Sequence, residues 1–347
     1  MPLMPLLGKS LDELKDIVRS FGMPPFTAKQ IAEWLYKKNA DSIDNMTNIS
    51  KINRDTLSRQ YRTGRTPFVQ VAESSDGTKK YLFKTADNRF IETVYIPEPD
   101  RATLCVSSQV GCRMNCLFCM TGRQGFAAQL STDEILNQMV SVPEFDRLTN
   151  IVYMGMGEPL DNLDPVLKSI ELLTADDGMG WSPRRITLST IGLTAGLKTF
   201  LEKSSVHLAV SLHSPFPAER GKLMPIEKAF PMENILAELK KYDFGRQRRL
   251  SFEYILFEGV NDTRRHAVRL AKLLRGLDCR VNLIRFHPIP DVALGCSDEI
   301  NIIAFRDYLT DNGIVCTVRK SRGEDIRAAC GMLSTLECAK HSKDTHT

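Results

Sequence analysis

Residues 185–214 read RITLSTIGLTAGLKTFLEKSSVHLAVSLHS: an apolar run rich in strand formers, an amphipathic interval, then a second such run. A strand, a helix and a strand within about 30 residues make a βαβ unit, whose two strands must lie parallel because the helix carries the chain back. The rhythm extends both ways, through TLCVSS (103–108), NIVYMGMG (150–157), LSFEYILFEGV (250–260), RVNLIRFHPIP (280–290) and IVCTVRKS (314–321). Amphipathic helical stretches lie between, among them STDEILNQMV (131–140) with a Ser131/Glu134 capping box, PMENILAELKKY (231–242) and RRHAVRLAKLLRGL (264–277). Such alternation predicts an α/β fold, a full or partial (β/α) barrel with helices outside.

Upstream the pattern changes. SLDELKDIVRSF (10–21) has helical spacing behind a Ser10 cap, and FTAKQIAEWLYKK (26–38) and INRDTLSRQY (52–61) fit further helices. They predict a small N-terminal helical domain over residues 1–75. KKYLFKTADNRFIETVYIP (79–97) alternates around a turn at 86–88 and reads as a β-hairpin within a 76–100 linker, leading into a barrel domain at 101–340 and a tail at 341–347.

With 347 residues, 42% hydrophobic and 25% charged, the chain has the composition of a folded globular protein, and no apolar run is long enough to span a membrane. The N-terminus lacks the features of a signal peptide, so a cytoplasmic location is expected. In that reducing compartment nine cysteines suit metal binding, catalysis or packing better than a disulfide framework. A net charge of +4 does not by itself establish nucleic-acid binding. SPRRIT (182–187) and GRQRRL (245–250) would suit a phosphate backbone, and suit a solvated basic face equally well.

In a parallel barrel the C-terminal strand ends form the active-site rim. Gly155, Gly157 and Glu158 end one strand, Ser189 and Thr190 another, Ser211 and His213 a third, and His287 a fourth. The loop after TLCVSS holds GCRMNCLFCMTG (111–122), with Cys112, Cys116 and Cys119 spaced C-x3-C-x2-C. Structural zinc sites take four ligands, with thiols in two separated pairs, and no histidine stands near to complete this set. An iron-sulfur cube held by three cysteines leaves one iron open to another ligand. Zinc stays as the lesser alternative at this stage.

The C-x3-C-x2-C triplet resembles the signature of the radical S-adenosylmethionine superfamily, and MGMGEP (154–159) resembles its GGE-type strand end. TLCVSSQVGC, GRQGF, MGMGEP, SPRRITLSTIG, SLHSP, GVND and RGEDIRAACG together resemble the RlmN and Cfr family of dual-specificity RNA methyltransferases, from about Glu92 to Leu333. The resemblance implies a partial (β/α)6 TIM-like radical SAM barrel and an RNA-contacting N-terminal domain. It implies one [4Fe-4S] cluster on Cys112, Cys116 and Cys119, and S-adenosylmethionine, two per turnover, held by Gly157, Glu158, Ser189, Ser211, Leu212, His213 and His287. Where this chain has His287 the family more often has asparagine, and an imidazole cannot supply an amide's paired donor and acceptor.

Adenine C2 and C8 are electron-poor carbons that offer no nucleophile to a sulfonium methyl, which calls for radical chemistry. The resemblance implies that Cys330 carries the methyl group, that the methyl radical formed there adds to the base, and that Cys105 resolves the covalent adduct, leaving a transient Cys105–Cys330 disulfide. Glu92 falls at the position that accepts the ring proton, a role Cys105 could also fill. Implied partners are 23S rRNA and tRNA, with flavodoxin or ferredoxin as electron donor and no membrane. GRQGF and VSSQVGC favour adenine C2, whereas CMTG leans toward C8 and Cfr-type resistance enzymes. An iron-sulfur RNA-binding or electron-transfer protein without methyltransferase activity remains the alternative of another class. Cys279, Cys296, Cys316 and Cys338 match no functional position.

Overall fold

The computed structural model describes residues 3–245 and 248–335. Arg246 of the GRQRRL cluster, Cys338 and the 341–347 tail lie outside the described residues.

Three helices open the chain: α1 (Leu11–Ser20), α2 (Thr27–Tyr36) and α3 (Lys51–Ser58). At the start of α1 the Ser10 hydroxyl accepts from the Glu13 N–H and Glu13 Oε2 accepts from the Ser10 N–H, satisfying two otherwise unpaired donors. Leu14, Val18, Ala28, Ile31 and Leu35 are buried between α1 and α2. The module is fastened to the rest of the chain: Lys168 bonds Glu13 at 2.7 Å, Asn39 donates to the Val140 carbonyl, and Asn137 bonds Thr66 in both directions.

The main sheet has ten strands, here β1 (Gln70–Glu73), β2 (Lys79–Lys84), β3 (Phe90–Glu98), β4 (Arg101–Cys105), β5 (Asn150–Tyr153), β6 (Ile186–Thr190), β7 (His207–Ser211), β8 (Leu250–Leu256), β9 (Arg280–Arg285) and β10 (Val315–Val318). Spatial order follows chain order from β1 to β10. Strands β4 to β10 are parallel, and β1 to β4 are antiparallel. The sheet is therefore mixed and open, with β1 and β10 at its edges. It has seven parallel strands where a (β/α)6 unit has six, because IVCTVRKS follows the helix Glu299–Asp311 and adds β10 to β9.

Two details differ from the sequence reading. Strand β1 lies within the span assigned to the helical domain, yet Gln70–Glu73 pairs with β2. The β2–β3 hairpin is not a linker outside the barrel, since β3 pairs with β4 and carries the sheet onward. Gln-Val-Ala-Glu is too short and polar to announce a strand; its backbone pairs because β2 offers a free edge.

Among the described residues no helix is long and apolar enough to cross a membrane.

Candidate functional site

The cysteine loop leaves β4 and is closed by a short antiparallel pairing of Gln109–Gly111 with Phe126–Gln129. Gly111 has φ +75°, and a Cβ there would lie 1.8 Å from the Gly125 carbonyl oxygen, so no larger residue fits the closure. Met120 N–H donates to the Gly331 carbonyl and Thr121 Oγ1 to the Leu333 carbonyl. These bonds tie the loop to the C-terminal segment that carries Cys330.

A cavity of about 150 Å³ opens at the C-terminal ends of β5 to β9. Cys112, Cys116 and Cys119 line it together with Gly157, Glu158, Ser189, Ser211, His213 and Cys330. Residues scattered over more than 200 positions thus meet at one rim, as parallel βα architecture dictates. Gly157 has φ +100°, and a Cβ there would meet Gln109 at 2.5 Å, which is why the turn after β5 can lie so close to the loop strand.

Glu158 is anchored on both oxygens: Oε1 accepts from Thr190 Oγ1 at 2.5 Å and from Leu160 N–H, and Oε2 accepts from Ile191 N–H at 3.0 Å. Burial raises its pKa to about 7 against these stabilising bonds. His213 sits at φ +56°, an uncommon conformation for a side chain with a Cβ, held because Asn261 Nδ2 donates to its carbonyl at 2.6 Å. Its Nδ1 accepts from Ile255 N–H at 3.0 Å, which leaves the proton on Nε2. Burial, followed by the Arg220 charge, pushes the imidazole down to about 3, so the ring is neutral.

Two expected residues stand apart from this lining. Leu212 is fully buried; its backbone N–H donates to the Glu253 carbonyl and its carbonyl accepts from Arg220. His287 Nε2 faces Ser321 Oγ at 3.0 Å and Nδ1 lies 3.5 Å from Glu324, so its ring serves the segment leading to Cys330.

Three residues escaped the sequence reading. Arg220 is buried to 0% exposure, pairs with Glu227, and donates to the carbonyls of Ile191, Ser211 and Leu212, gathering the ends of β6 and β7. Arg319, just past β10, lies 3.5 Å from Glu253 and near the thiols of Cys105 and Cys330. Lys80 pairs with Glu92 at 2.9 Å, both mostly buried. None carries a motif signal, because each finds its partners only through tertiary packing: Lys80 and Arg319 across strands, Arg220 by being buried against Glu227 and three carbonyls.

Glu92 lies on the wall of a second, larger cavity of about 830 Å³, with Lys80, Arg123, Pro288, Arg327, Met332 and Ser334. Its Oε2 accepts from the Ser334 N–H at 2.9 Å. The segment 326–334 therefore borders both chambers, Cys330 and Gly331 facing the smaller, Arg327, Met332 and Ser334 the larger. Cys105 ends β4 as a buried thiol that burial pushes up to about 12. Cys105 and Cys330 are both free thiols here, with no disulfide between them. Cys279 is packed in the core, and Cys296 and Cys316 are partly exposed.

The donor set fits an iron-sulfur cluster. Burial pushes the Cys112 thiol up to about 12 and raises Cys116 and Cys119, so three thiolates need bound positive charge. A single zinc requires its sulfurs about 2.3 Å from one point. The three thiols instead line the wall of one cavity together, where ligands at the corners of a larger cluster would stand.

Comparison with known proteins agrees with this arrangement. Residues 4–62 match the ribosomal RNA large subunit methyltransferase N-terminal domain, and residues 106–271 the radical SAM superfamily. A protein of Bacteroides fragilis (strain YCH46) named "Probable dual-specificity RNA methyltransferase RlmN" is 59% identical over 99% of this chain and 100% of its own length. The dual-specificity RNA methyltransferase RlmN of Syntrophus aciditrophicus (strain SB) is 42% identical over 94% of each chain. The crystal structure of a radical SAM methyltransferase from Sphaerobacter thermophilus superposes with a TM-score of 0.90 at 40% identity, over 95% of this chain and 99% of that one. A family whose members carry a 4Fe-4S cluster and S-adenosylmethionine accounts for the cysteine cavity, the open mixed sheet and the helical module at once: the chain belongs to the RlmN family of radical SAM dual-specificity RNA methyltransferases.

Proposed function

We propose that the chain methylates C2 of an adenosine in the peptidyl transferase region of 23S rRNA and of an adenosine beside the anticodon in tRNA, with Cys330 as the methyl carrier. The observation that carries this reading is the position of Cys330 on a segment bordering both chambers. The smaller chamber suits a cofactor. The larger suits a base splayed out of single-stranded RNA, which costs less than opening a paired one.

In this reading Cys112, Cys116 and Cys119 hold the [4Fe-4S] cluster and leave one iron open. Gly157, Glu158, Ser189, Ser211 and His213 surround S-adenosylmethionine, two molecules of which are used per turnover. When bound, cluster and cofactor supply a methyl group and one-electron cleavage of a sulfonium bond, the electron coming from flavodoxin or ferredoxin. Glu158, already near neutral pH in its titration, ionises against a bound ammonium group. His213 offers the Nε2–H as a donor without adding charge. Leu212 contributes backbone only, and His287 acts by supporting the Cys330 segment through Ser321.

Cys330 accepts the methyl group on sulfur, beside the Arg319 guanidinium. The methyl carbon would give one hydrogen to the radical that the bound cofactor supplies and then bond to adenine C2, and the surplus electron of the adduct would pass back to the cluster. Glu92 takes the original ring proton, held toward the larger chamber by Lys80 and the Ser334 N–H. The Cys105 thiolate then attacks the Cys330 sulfur; the sulfur–carbon bond breaks, the released carbon takes a proton to become the product's methyl group, and a Cys105–Cys330 disulfide forms that must be reduced before the next turnover.

The test is anaerobic reconstitution with iron and sulfide, incubation with an rRNA fragment and a tRNA, and mass spectrometry of the released adenosines. C2-methyladenosine is expected. C8-methyladenosine would replace the C2 assignment, and cofactor cleavage without methylated RNA would reject the substrate.

A further inference from the structure

The opposite end of the barrel, where the parallel strands begin, carries a row of arginines that the methylation site does not use. Arg184 and Arg185 precede β6, His207 opens β7, Arg249 precedes β8, Arg280 opens β9 and Arg101 opens β4. Register makes them neighbours. Thr187 pairs with His207, Leu208 N–H donates to the Arg249 carbonyl, and Arg280 pairs with Ser251. All five arginines are exposed. Arg101 is paired with Glu98; among the described residues Arg184, Arg185, Arg249 and Arg280 form no salt bridge.

His207 records the resulting field. Its Nδ1 accepts from the Arg249 N–H at 2.9 Å, and burial, then Arg249, Arg184, Arg280 and Arg248, push it down to about 4. Four unpaired like charges on one strand edge repel one another and weaken the fold, so their presence calls for an anionic partner. From β6 to β9 the row crosses three strand steps of about 4.8 Å, about 14 Å in all, which exceeds a single phosphate and suits several along a polymer. Guanidinium groups match phosphate oxygens bidentately. A protein partner would want an apolar or aromatic centre, and the exposed large apolar residue here is Val315, at the rim beside Arg280.

We propose that this arginine edge is a second RNA-binding surface, gripping the phosphate backbone of substrate RNA that extends beyond the adenosine-bearing loop. It rests on the chain's substrate being RNA, and it predicts that long substrates are held at both ends of the barrel. Strand β7 measures the separation: His207 lies in the row and Ser211 in the cysteine cavity, four residue steps or about 13 Å apart.

The experiment compares two double variants, Arg184→Gln/Arg185→Gln and Arg249→Gln/Arg280→Gln, with wild type and with Lys198→Gln/Arg269→Gln as an equal charge loss within the outer helices. RNA affinity is measured from 50 to 300 mM KCl for a long 23S rRNA fragment and a short target stem-loop, with thermal melts confirming folding. The arginine variants should bind the long fragment about tenfold more weakly with a salt slope reduced by about 1 to 2, and arginine-to-lysine replacements should restore much of that slope. Affinity for the stem-loop should not change. Long-fragment affinity and slope equal to wild type would overturn the proposal. Unchanged RNA affinity with slower reduction by an acidic flavodoxin would overturn it too, and assign the edge to a protein. Wild-type binding without any methylated adenosine would instead break the proposed function and leave this surface standing.

Discussion

The two chambers on either side of the Cys330 segment differ in size, walls and charge. The smaller, about 150 Å³, is walled by thiols, glycines and strand-end hydroxyls, with buried groups fixed by backbone hydrogen bonds. The larger, about 830 Å³, exposes Lys80, Glu92, Arg123, Asp291 and Arg327 around Met120 and Met332. One is built for a compact ligand whose charge is balanced locally. The other can admit a bulky anionic one. The parallel strands β5 to β9 make the first, whereas the antiparallel strands β1 to β3 contribute to the second. In the proposed reaction the methyl group passes between them without either ligand leaving, because the segment carrying Cys330 is the wall they share.

Removing Cys105, the thiol proposed to resolve the adduct, should break this division most severely. Cys105→Ala leaves the smaller chamber intact, so Cys330 should still be methylated, but RNA should stay covalently attached. Multiple turnover should fall by at least ~10³-fold while a protein–RNA adduct accumulates on denaturing gels. If turnover continues without adduct, Cys105 does not resolve the intermediate.

The charged pair of the larger chamber comes next. Glu92→Gln should slow product formation by about 10² to 10³-fold and leave methylation of Cys330 unchanged, as expected for loss of a general base. Lys80→Met, which removes one of the groups holding the Glu92 carboxylate, should cost about tenfold, with Lys80→Arg largely restoring the rate. Equal losses in cysteine methylation and RNA methylation would mean that the pair only holds the sheet together.

The weakest effect tests how the Cys330 segment is moored to the hairpin. Asp76, in the β1–β2 turn, accepts from the Gly323 N–H at 3.1 Å, and Asp325 accepts from Ser74 Oγ at 2.6 Å. Burial pushes the Asp76 carboxyl up, but bonds from Thr78, Gly323 and Ser74 outweigh it and hold the pKa at about 2. A depressed folded pKa gives stability that is present above the unfolded value, near 4, and lost as pH falls through about 2. The group is 27% exposed, so screening leaves about 1 kcal/mol. Asp76→Asn should therefore lower the melting temperature by a few degrees at pH 7, with the gap closing toward pH 2. A pH-independent gap would reject the linkage.

Much of this division could be read before any coordinates. The seven apolar runs became the seven parallel strands, and the Ser10 cap and the Ser131 capping box start helices where their spacing placed them. The cysteine triplet, Gly157, Glu158, Ser189, Ser211 and His213 converge because a repeating βα pattern sends every strand end to one rim. What stayed hidden depends on partners fixed by tertiary packing. Arg220 looks like a helix-face arginine until Glu227 and three carbonyls enclose it. Lys80 and Glu92 are diagonal neighbours across β2 and β3, a relation set by register. His287 sits at a strand end, as expected, but the returning C-terminal segment occupies its ring. The arginine edge was visible as two separate clusters, and only the sheet joins them into a row.

Whether the wall between the chambers carries the methyl group is decided by peptide mass spectrometry of anaerobically reconstituted protein. After incubation with isotopically labelled S-adenosylmethionine and no RNA, one labelled methyl group should be found on the peptide containing Cys330, and it should move to adenosine when RNA is added. Label reaching adenosine in a Cys330→Ala variant, or in wild type that never labels Cys330, would contradict methyl transfer through this wall.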